Sequence, residues 1–348
     1  TSQNGKGLIT VAQPLDYKQE RRFLLVITAT DSGGRSDSAN VNINITDANN
    51  FAPVFENAPY SASVFEDDPI GTTVLVVSAI DADVGINAQI TYSLNEESVN
   101  GIASNDPFAI NPQTGAIVTT ASLDRETTGN YLLTVTARDG GNPSLSDTTD
   151  IEITVTDVND NPPQFKVPLY HASIKEDALI GTSVAQLSAT DPDLGLNGRV
   201  KYLLSDKDIE DGSFVVDPTS GTIRTNKVLD RESVPVYHLQ AVAVDKGSPP
   251  MSSTVEVQVK LEDVNDNPPS FPSDKIILYV AENSPVGSVV GEIHAHDPDE
   301  GENARVHYSI IGGDDSNHFS LVTRPGSERA QLLTMTELDY DHPGKSLN

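Results

Sequence analysis

Three features of this 348-residue sequence predict an all-β chain built from tandem antiparallel sandwiches. Apolar residues alternate with polar ones in short runs, Gly, Pro, Asn and Asp punctuate those runs, and a set of acidic motifs returns at a pitch of about 107 residues. No long segment carries the helical period.

The first unit, 1–46, reads as the C-terminal part of one sandwich. Phe23, Leu25, Ile27 and Ala29 alternate toward Asp31, and Val41, Ile43 and Ile45 alternate toward Asp47. The segment 47–53, "DANNFAP", joins it to a whole unit at 54–156, where Tyr131, Leu133, Val135 and Ala137 lead to Asp139, and Ile151, Ile153 and Val155 lead to Asp157. The segment 157–163, "DVNDNPP", precedes a second whole unit at 164–262, with Tyr237, Leu239, Ala241 and Ala243 before Asp245 and Val255, Val257, Val259 and Leu261 before Asp263. A second "DVNDNPP" at 263–269 leads into 270–348, the N-terminal part of a further sandwich. In each series the Asp falls on the core-facing parity of its strand. With partial units at both ends, the sequence is expected to be a segment of something longer.

Composition narrows the function. There are 51 acidic against 22 basic residues, a formal net charge of −29, and no Cys or Trp. Such an excess of acid repels nucleic acid and anionic membrane surfaces. At 37% hydrophobic the chain can bury cores, so the acids are expected to be placed rather than merely solvating. No stretch approaches the length of a membrane span, so any membrane anchor is expected outside this segment. Without Cys the sequence is silent on redox compartment. Asn44-Ile45-Thr46 is a single acceptor triplet for an N-linked glycan.

The acidic motifs keep a fixed order. "LDRE" at 123–126 and 229–232 has looser copies, "LDYK" at 15–18 and "LDYD" at 338–341; "DAD" or "DPD" begins at Asp81, Asp191 and Asp297; single glutamates stand at 66, 176 and 282. Asp- and Asn-rich segments ending in Pro are extended, because Pro fixes φ and restrains the residue before it. At a junction these motifs gather about eight carboxylates, which repel unless a hard cation sits among them. Asp, Glu and Asn without His or Cys form the oxygen set that calcium takes. Asp and Asn also dominate ordinary turns, but isolated turns do not recur in phase. An EF-hand fails, because Tyr92, Tyr202 and Tyr308 occupy the position where a bidentate Glu is required. No H-E-x-x-H, G-x-S-x-G or Cys nucleophile supports an enzyme. His294 and His296 read as surface strand residues rather than a transition-metal site.

Together "DVNDNPP", "LDRE", "DxD" and "A-x-D" at this pitch resemble the extracellular repeats of the cadherin superfamily, over the entire chain. "LDYKQERR" at 15–22, "NINITDANN" at 42–50 and "AENSPVGSVVGEIHAHDPDEGENA" at 281–304 are similar to Flamingo-class seven-pass cadherins. The resemblance implies seven-stranded Greek-key (immunoglobulin-like) sandwiches joined by calcium-binding linkers into an extended rod.

It also implies ligands. At 157–163 a first ion would take Glu66, Asp124, Glu126 and Asp160. A second would take Glu66, Glu126, Asp157, Asp160, Asp193 and the Val158 carbonyl. A third would take Asn159, Asp191, Asp193, Asp245 and the carbonyls of Asn161 and Asn197. That makes about three ions. At 263–269 the matching positions are Glu176, Asp230, Glu232, Asp263, Val264, Asn265, Asp266, Asn267, Asp297, Asp299 and Asn303, for about two to three ions. At 47–53, Lys18 stands where the bridging Glu belongs and Asn50 where the shared Asp belongs. The remaining positions are Asn49, Phe51, Asp81, Asp83, Asn87 and Asp139, for about one ion or none, and a more bendable joint. Asp31, Glu282, Asp339 and Asp341 would serve junctions outside the chain. The implied role is calcium-dependent, homophilic cell–cell adhesion at the plasma membrane, within a seven-pass receptor active in planar cell polarity. A calcium-stiffened spacer that positions adhesive repeats elsewhere is the alternative.

Overall fold

The computed structural model describes residues 2–3, 6–94, 107–313, 315–324 and 328–339; Asp341 lies outside them. The chain divides after Val158 into two compact units.

In the first unit, Arg22–Thr30 and Ser36–Asn44 form an antiparallel hairpin. The strands after it build a sandwich. One sheet runs in the order Tyr60–Phe65, Ser146–Thr156, Asn130–Arg138, Thr91–Leu94, and the other in the order Phe108–Ile110, Ala116–Thr119, Thr73–Val76. Val54–Phe55 pairs with Ala79–Ile80 at one corner. The strand Ser146–Thr156 shows why the alternating pattern becomes a sheet. Ile151, Ile153 and Val155 are buried while Asp150, Glu152 and Thr154 face solvent, and this period of two is what a half-buried strand demands. Leu133, Val135 and Ala137 meet them from the next strand, with Ile117 and Phe108 facing from the opposite sheet.

The second unit repeats this plan. Leu169–Lys175, Ser252–Glu262, Val236–Val244 and Lys201–Leu204 form one sheet, and Ser183–Gln186, Thr222–Thr225 and Phe214–Val216 the other. Val255, Val257, Val259 and Leu261 are buried against Leu239, Ala241, Ile223 and Phe214. After residue 263 a further sheet follows, in the order Val289–His294, Arg329–Thr334, Phe319–Thr323, with an isolated bridge between Ser270 and His296.

An aromatic pair recurs three times. Phe55 packs on Tyr92, Phe165 on Tyr202 and Phe271 on Tyr308, with centroids 6.3, 6.4 and 6.3 Å apart. Each tyrosine hydroxyl accepts an amide hydrogen bond, from Ala79, Ala189 and Ala295 at 2.9, 2.8 and 2.8 Å. A buried phenol thus finds its partner in Tyr92 and Tyr202; of the positions that excluded an EF-hand, these two are core tyrosines and Tyr308 is half-buried.

The hairpin departs from expectation. Leu25 and Ile43 are only half-buried and Ile27 is 41% exposed, because no second sheet covers its inner face among the described residues. A short helix, Asp206–Asp211, also appears where no long helical period exists. Ser205 caps it by accepting from the Asp208 amide, its hydroxyl donates to Asp208 Oδ2 at 2.6 Å, and Gly212 closes it at φ 68°. Among the described residues no helix is long and apolar enough to cross a membrane.

Candidate metal centre at the acidic junctions

The segment 263–269 lies wholly inside the second unit and gathers its acids from four places. Glu176 follows the strand Leu169–Lys175, and 2% of its surface is exposed. Its Oε1 accepts from the Val264 amide at 2.9 Å and its Oε2 from the Arg231 amide at 2.6 Å. One carboxylate therefore pins both the Asp-Asn-Pro segment and the "LDRE" turn. Asp230 takes the Ser233 hydroxyl and amide at 2.6 and 3.2 Å, which hold its carboxyl below the usual range.

Asp263 ends the strand parity as the sequence expects. Its Oδ2 accepts from the Glu300 amide at 2.9 Å and from Asn303 Nδ2 at 2.8 Å. Burial pushes its carboxyl up, but these bonds and Arg231 outweigh that and hold it low. Asn267 Nδ2 bridges Asp266 Oδ1 and Asp299 Oδ1 at 2.7 and 3.0 Å, and Asp297 Oδ1 accepts from the Asp299 amide at 3.1 Å. Asn265 is exposed.

Two acidic triads result. Oxygens of Glu176, Glu232 and Asp266 lie within 4.8 Å of one another, as do oxygens of Glu232, Asp263 and Asp299. Burial, then the neighbouring Glu176 charge, pushes the Glu232 carboxyl up. Asp266 is pushed up by desolvation and then by Glu176, Asp299, Asp230 and Asp263. Asp299 is 7% exposed, and its Oδ2 accepts no hydrogen bond from the protein. A buried carboxylate oxygen without a donor is costly unless a cation meets it. The donor set is all oxygen, which fits a hard divalent ion.

Arg231 is the residue that the sequence reading missed. Its Nε lies 2.5 Å from Asp263 Oδ1, its Nη2 pairs with Glu232, and the same Nη2 donates to the Pro298 carbonyl at 2.9 Å. The only sequence signal was its constant place between Asp and Glu in "DRE".

The segment 157–163 is shared between the two units, and its expected ligands fall on either side. In the first unit Glu66 repeats the role of Glu176, accepting from the Val158 and Arg125 amides at 2.8 Å each. Arg125 Nε lies 2.5 Å from Asp157 Oδ1, and the guanidinium pairs with Glu126. Asp124 binds the Thr127 hydroxyl at 2.8 Å, which holds its carboxyl low. In the second unit Asn159 Nδ2 donates to Asp245 Oδ2 at 3.1 Å and to the Pro249 carbonyl at 2.7 Å. Gly247 permits this approach, since a Cβ there would lie 2.3 Å from Asn159 Cγ. Asn161 Nδ2 donates to Asp193 Oδ1 at 2.8 Å and to Asp160 Oδ1 at 2.7 Å. Asp193 in turn donates its amide to Asp191 Oδ1 at 3.0 Å, and Asn197 is half-buried in the loop that follows.

The segment 47–53, within the first unit, keeps half of this pattern. Asn49 Nδ2 donates to Asp139 Oδ2 at 3.0 Å, and the Asn50 and Phe51 amides donate to Asp83 Oδ2 at 2.9 and 3.0 Å. Asp47 Oδ2 accepts from the Val84 amide at 3.0 Å and from Asn87 Nδ2 at 3.3 Å. Asn49 Oδ1, Asp81 Oδ2 and Asp83 Oδ1 are buried and accept no hydrogen bond from the protein. The other half is replaced. Lys18 Nζ sits 4.5 Å from the centre of the Phe51 ring, a cation–π contact. Among the described residues no three acidic side chains converge here within 4.8 Å, and no histidine belongs to any such cluster of three.

The cadherin domain model matches residues 60–156, 170–262 and 277–346. The chain belongs to the cadherin family. It is 82% identical over 345 residues to the Drosophila melanogaster "Protocadherin-like wing polarity protein stan", covering 99% of this chain and 10% of that protein. It is 50% identical over 342 residues to the mouse "Cadherin EGF LAG seven-pass G-type receptor 1", covering 98% of this chain and 11% of that protein. The likeness to seven-pass cadherins read from the sequence is borne out, and the chain spans about a tenth of the length of these relatives. Among solved structures, the cadherin fold recurs in the protocadherin gammaB7 EC3-6 cis-dimer at TM-score 0.73 and 31% identity, over 95% of this chain and 80% of that one. Mouse cadherin-23 EC22-24 gives TM-score 0.60 and 36% identity over 72% of this chain and 78% of that one.

Proposed function

We propose that this chain is a calcium-binding extracellular segment of a plasma-membrane cadherin that supports homophilic adhesion between facing cells. The segments 47–53, 157–163 and 263–269 act as its linkers, and the sandwiches 54–156 and 164–262 are its whole repeats. The observation carrying this reading is the pair of acidic triads at 263–269, with the buried Asp299 Oδ2 left for a cation. Glu176, Asp230, Glu232, Asp263, Asp266 and Asp299 would hold the ions there. Glu66, Asp124, Glu126, Asp157, Asp160, Asp191, Asp193 and Asp245 would do so at 157–163. When bound, calcium neutralises carboxylates that otherwise repel. Asn267 orients Asp266 and Asp299 in advance through its hydrogen bonds, and the Val264 and Arg231 amides fix Glu176.

The likeness to the wing polarity protein and the seven-pass receptor supports a place in planar cell polarity, within a receptor whose anchor lies outside this segment. Extracellular modules of this kind fill at about 10⁻⁴–10⁻³ M calcium, so the linkers bind outside cells. A second reading, a spacer with one compliant joint, draws on the Lys18–Phe51 contact standing where acids are expected. Beads coated with the chain separate the two. Clumping in millimolar calcium but not in chelator places adhesion within this segment, whereas dispersal in both leaves a spacer.

A further inference from the structure

We propose that Arg231 is a built-in placeholder cation, holding the 263–269 joint partly closed without metal and yielding its carboxylates when calcium binds. The proposal rests on the calcium-binding reading above. Three contacts define the placeholder. Arg231 starts in the "DRE" turn, and its side chain is only 12% exposed. Its guanidinium reaches Glu232, Asp263 Oδ1 and the Pro298 carbonyl. Pro298 stands between Asp297 and Asp299, so the side chain spans from the turn before the linker to the acidic loop after it.

Glu232 and Asp263 are two of the three members of one acidic triad. A planar monovalent guanidinium and a divalent ion cannot both take the same oxygens, because like charges at such range repel and each carboxylate has few lone pairs. The substitution is also incomplete, since the third member, Asp299, keeps a buried oxygen, Oδ2, that receives nothing from the protein. Charge supplied by the arginine is therefore half that of calcium and leaves one carboxylate oxygen unserved. Arg125 repeats the arrangement with Glu126 and Asp157. At the divergent joint Tyr17 replaces the arginine, Arg21 lies over the Tyr17 ring, and Lys18 turns to Phe51 instead.

Removing the placeholder has opposite effects in the two metal states, which a merely structural arginine would not produce. The test uses the 348-residue chain, titrated with calcium by calorimetry and melted both in chelator and in saturating calcium. Arg231→Gln is expected to tighten the affected class of calcium sites about tenfold, about 1.4 kcal/mol. The same variant is expected to melt lower than the parent in chelator, with the deficit closing in calcium. Arg231→Lys keeps the charge but loses the fork that serves three partners, so it falls between; it carries the test if the glutamine variant does not fold. Equal or weaker calcium binding by both variants overturns the proposal, as does an unchanged melting point in chelator. A parent chain that binds no calcium removes the functional reading and this inference together.

Discussion

Glu176 fixes Val264: its Oε1 accepts the Val264 amide at 2.9 Å, while its other oxygen holds the Arg231 amide at 2.6 Å. A glutamine at this position would turn an N–H toward one of those donors and leave it unserved. Glu176→Gln is therefore expected to lose about 1–3 kcal/mol of stability in chelator and to weaken calcium binding about tenfold or more. Thermal melts paired with calcium titration check both. A variant that melts and binds as the parent does would remove Glu176 from its place at the centre of the joint.

The divergent joint can be rebuilt. Lys18→Glu with Asn50→Asp restores the acids missing around 47–53, and is expected to raise the bound calcium per chain by about one to two ions. Equilibrium dialysis followed by metal analysis counts them. If the count stays level, Lys18 and Asn50 are not what distinguishes this joint.

The pH response at 263–269 has a defined sign. Desolvation and the surrounding carboxylates push Asp266 up, so the metal-free fold favours its protonated form. That contribution is present at low pH and is lost as pH rises through the raised value. Asp266→Asn is expected to match or exceed the parent's melting temperature in chelator at pH 7, yet to bind less calcium. Calcium binding by the parent should weaken on acidification, because protons and calcium compete for Glu232 and Asp266. A variant less stable than the parent in chelator would contradict the repulsion assigned to this site.

The capped helix Asp206–Asp211 should be separable from the metal sites. Ser205→Ala removes the cap and one bond to the buried Asp208, and is expected to lower stability by about 0.5–2 kcal/mol. Its calcium count should equal the parent's. Chemical denaturation with and without calcium measures this, and a lost ion would tie the helix to the junctions.

The sandwiches were legible because burial imposes a period of two. Ile151, Ile153 and Val155 lie inward as their spacing requires, and the parity carries on to Asp157. The hydrogen-bonded half of the acidic pattern was legible too, since Asn49, Asn159 and Asn267 each meet an Asp far away in sequence. Side chains whose reach depends on the folded surface were not. Arg231 lies between two acids in sequence and reads as solvated, yet the turn aims it inward. Phe55, Phe165 and Phe271 keep the same steps as Tyr92, Tyr202 and Tyr308, but only the sheets' corner brings each pair together. The helix at 206–211 is too short to show a period, although Ser205 and Asp208 form a recognisable cap.

In the sandwiches of both units an early strand lies parallel to a late one. Tyr60–Phe65 pairs with Ser146–Thr156 over six registered residues, and Leu169–Lys175 with Ser252–Glu262 over seven. Tension applied through the two chain ends therefore pulls these partners lengthwise past each other in opposite directions. Every rung of the ladder takes load at once, where an antiparallel hairpin pulled from its open end would unzip rung by rung. The strand arrangement that closes each sheet thus also makes each sandwich a mechanical clamp, strongest along the line on which a pulling neighbour would draw it.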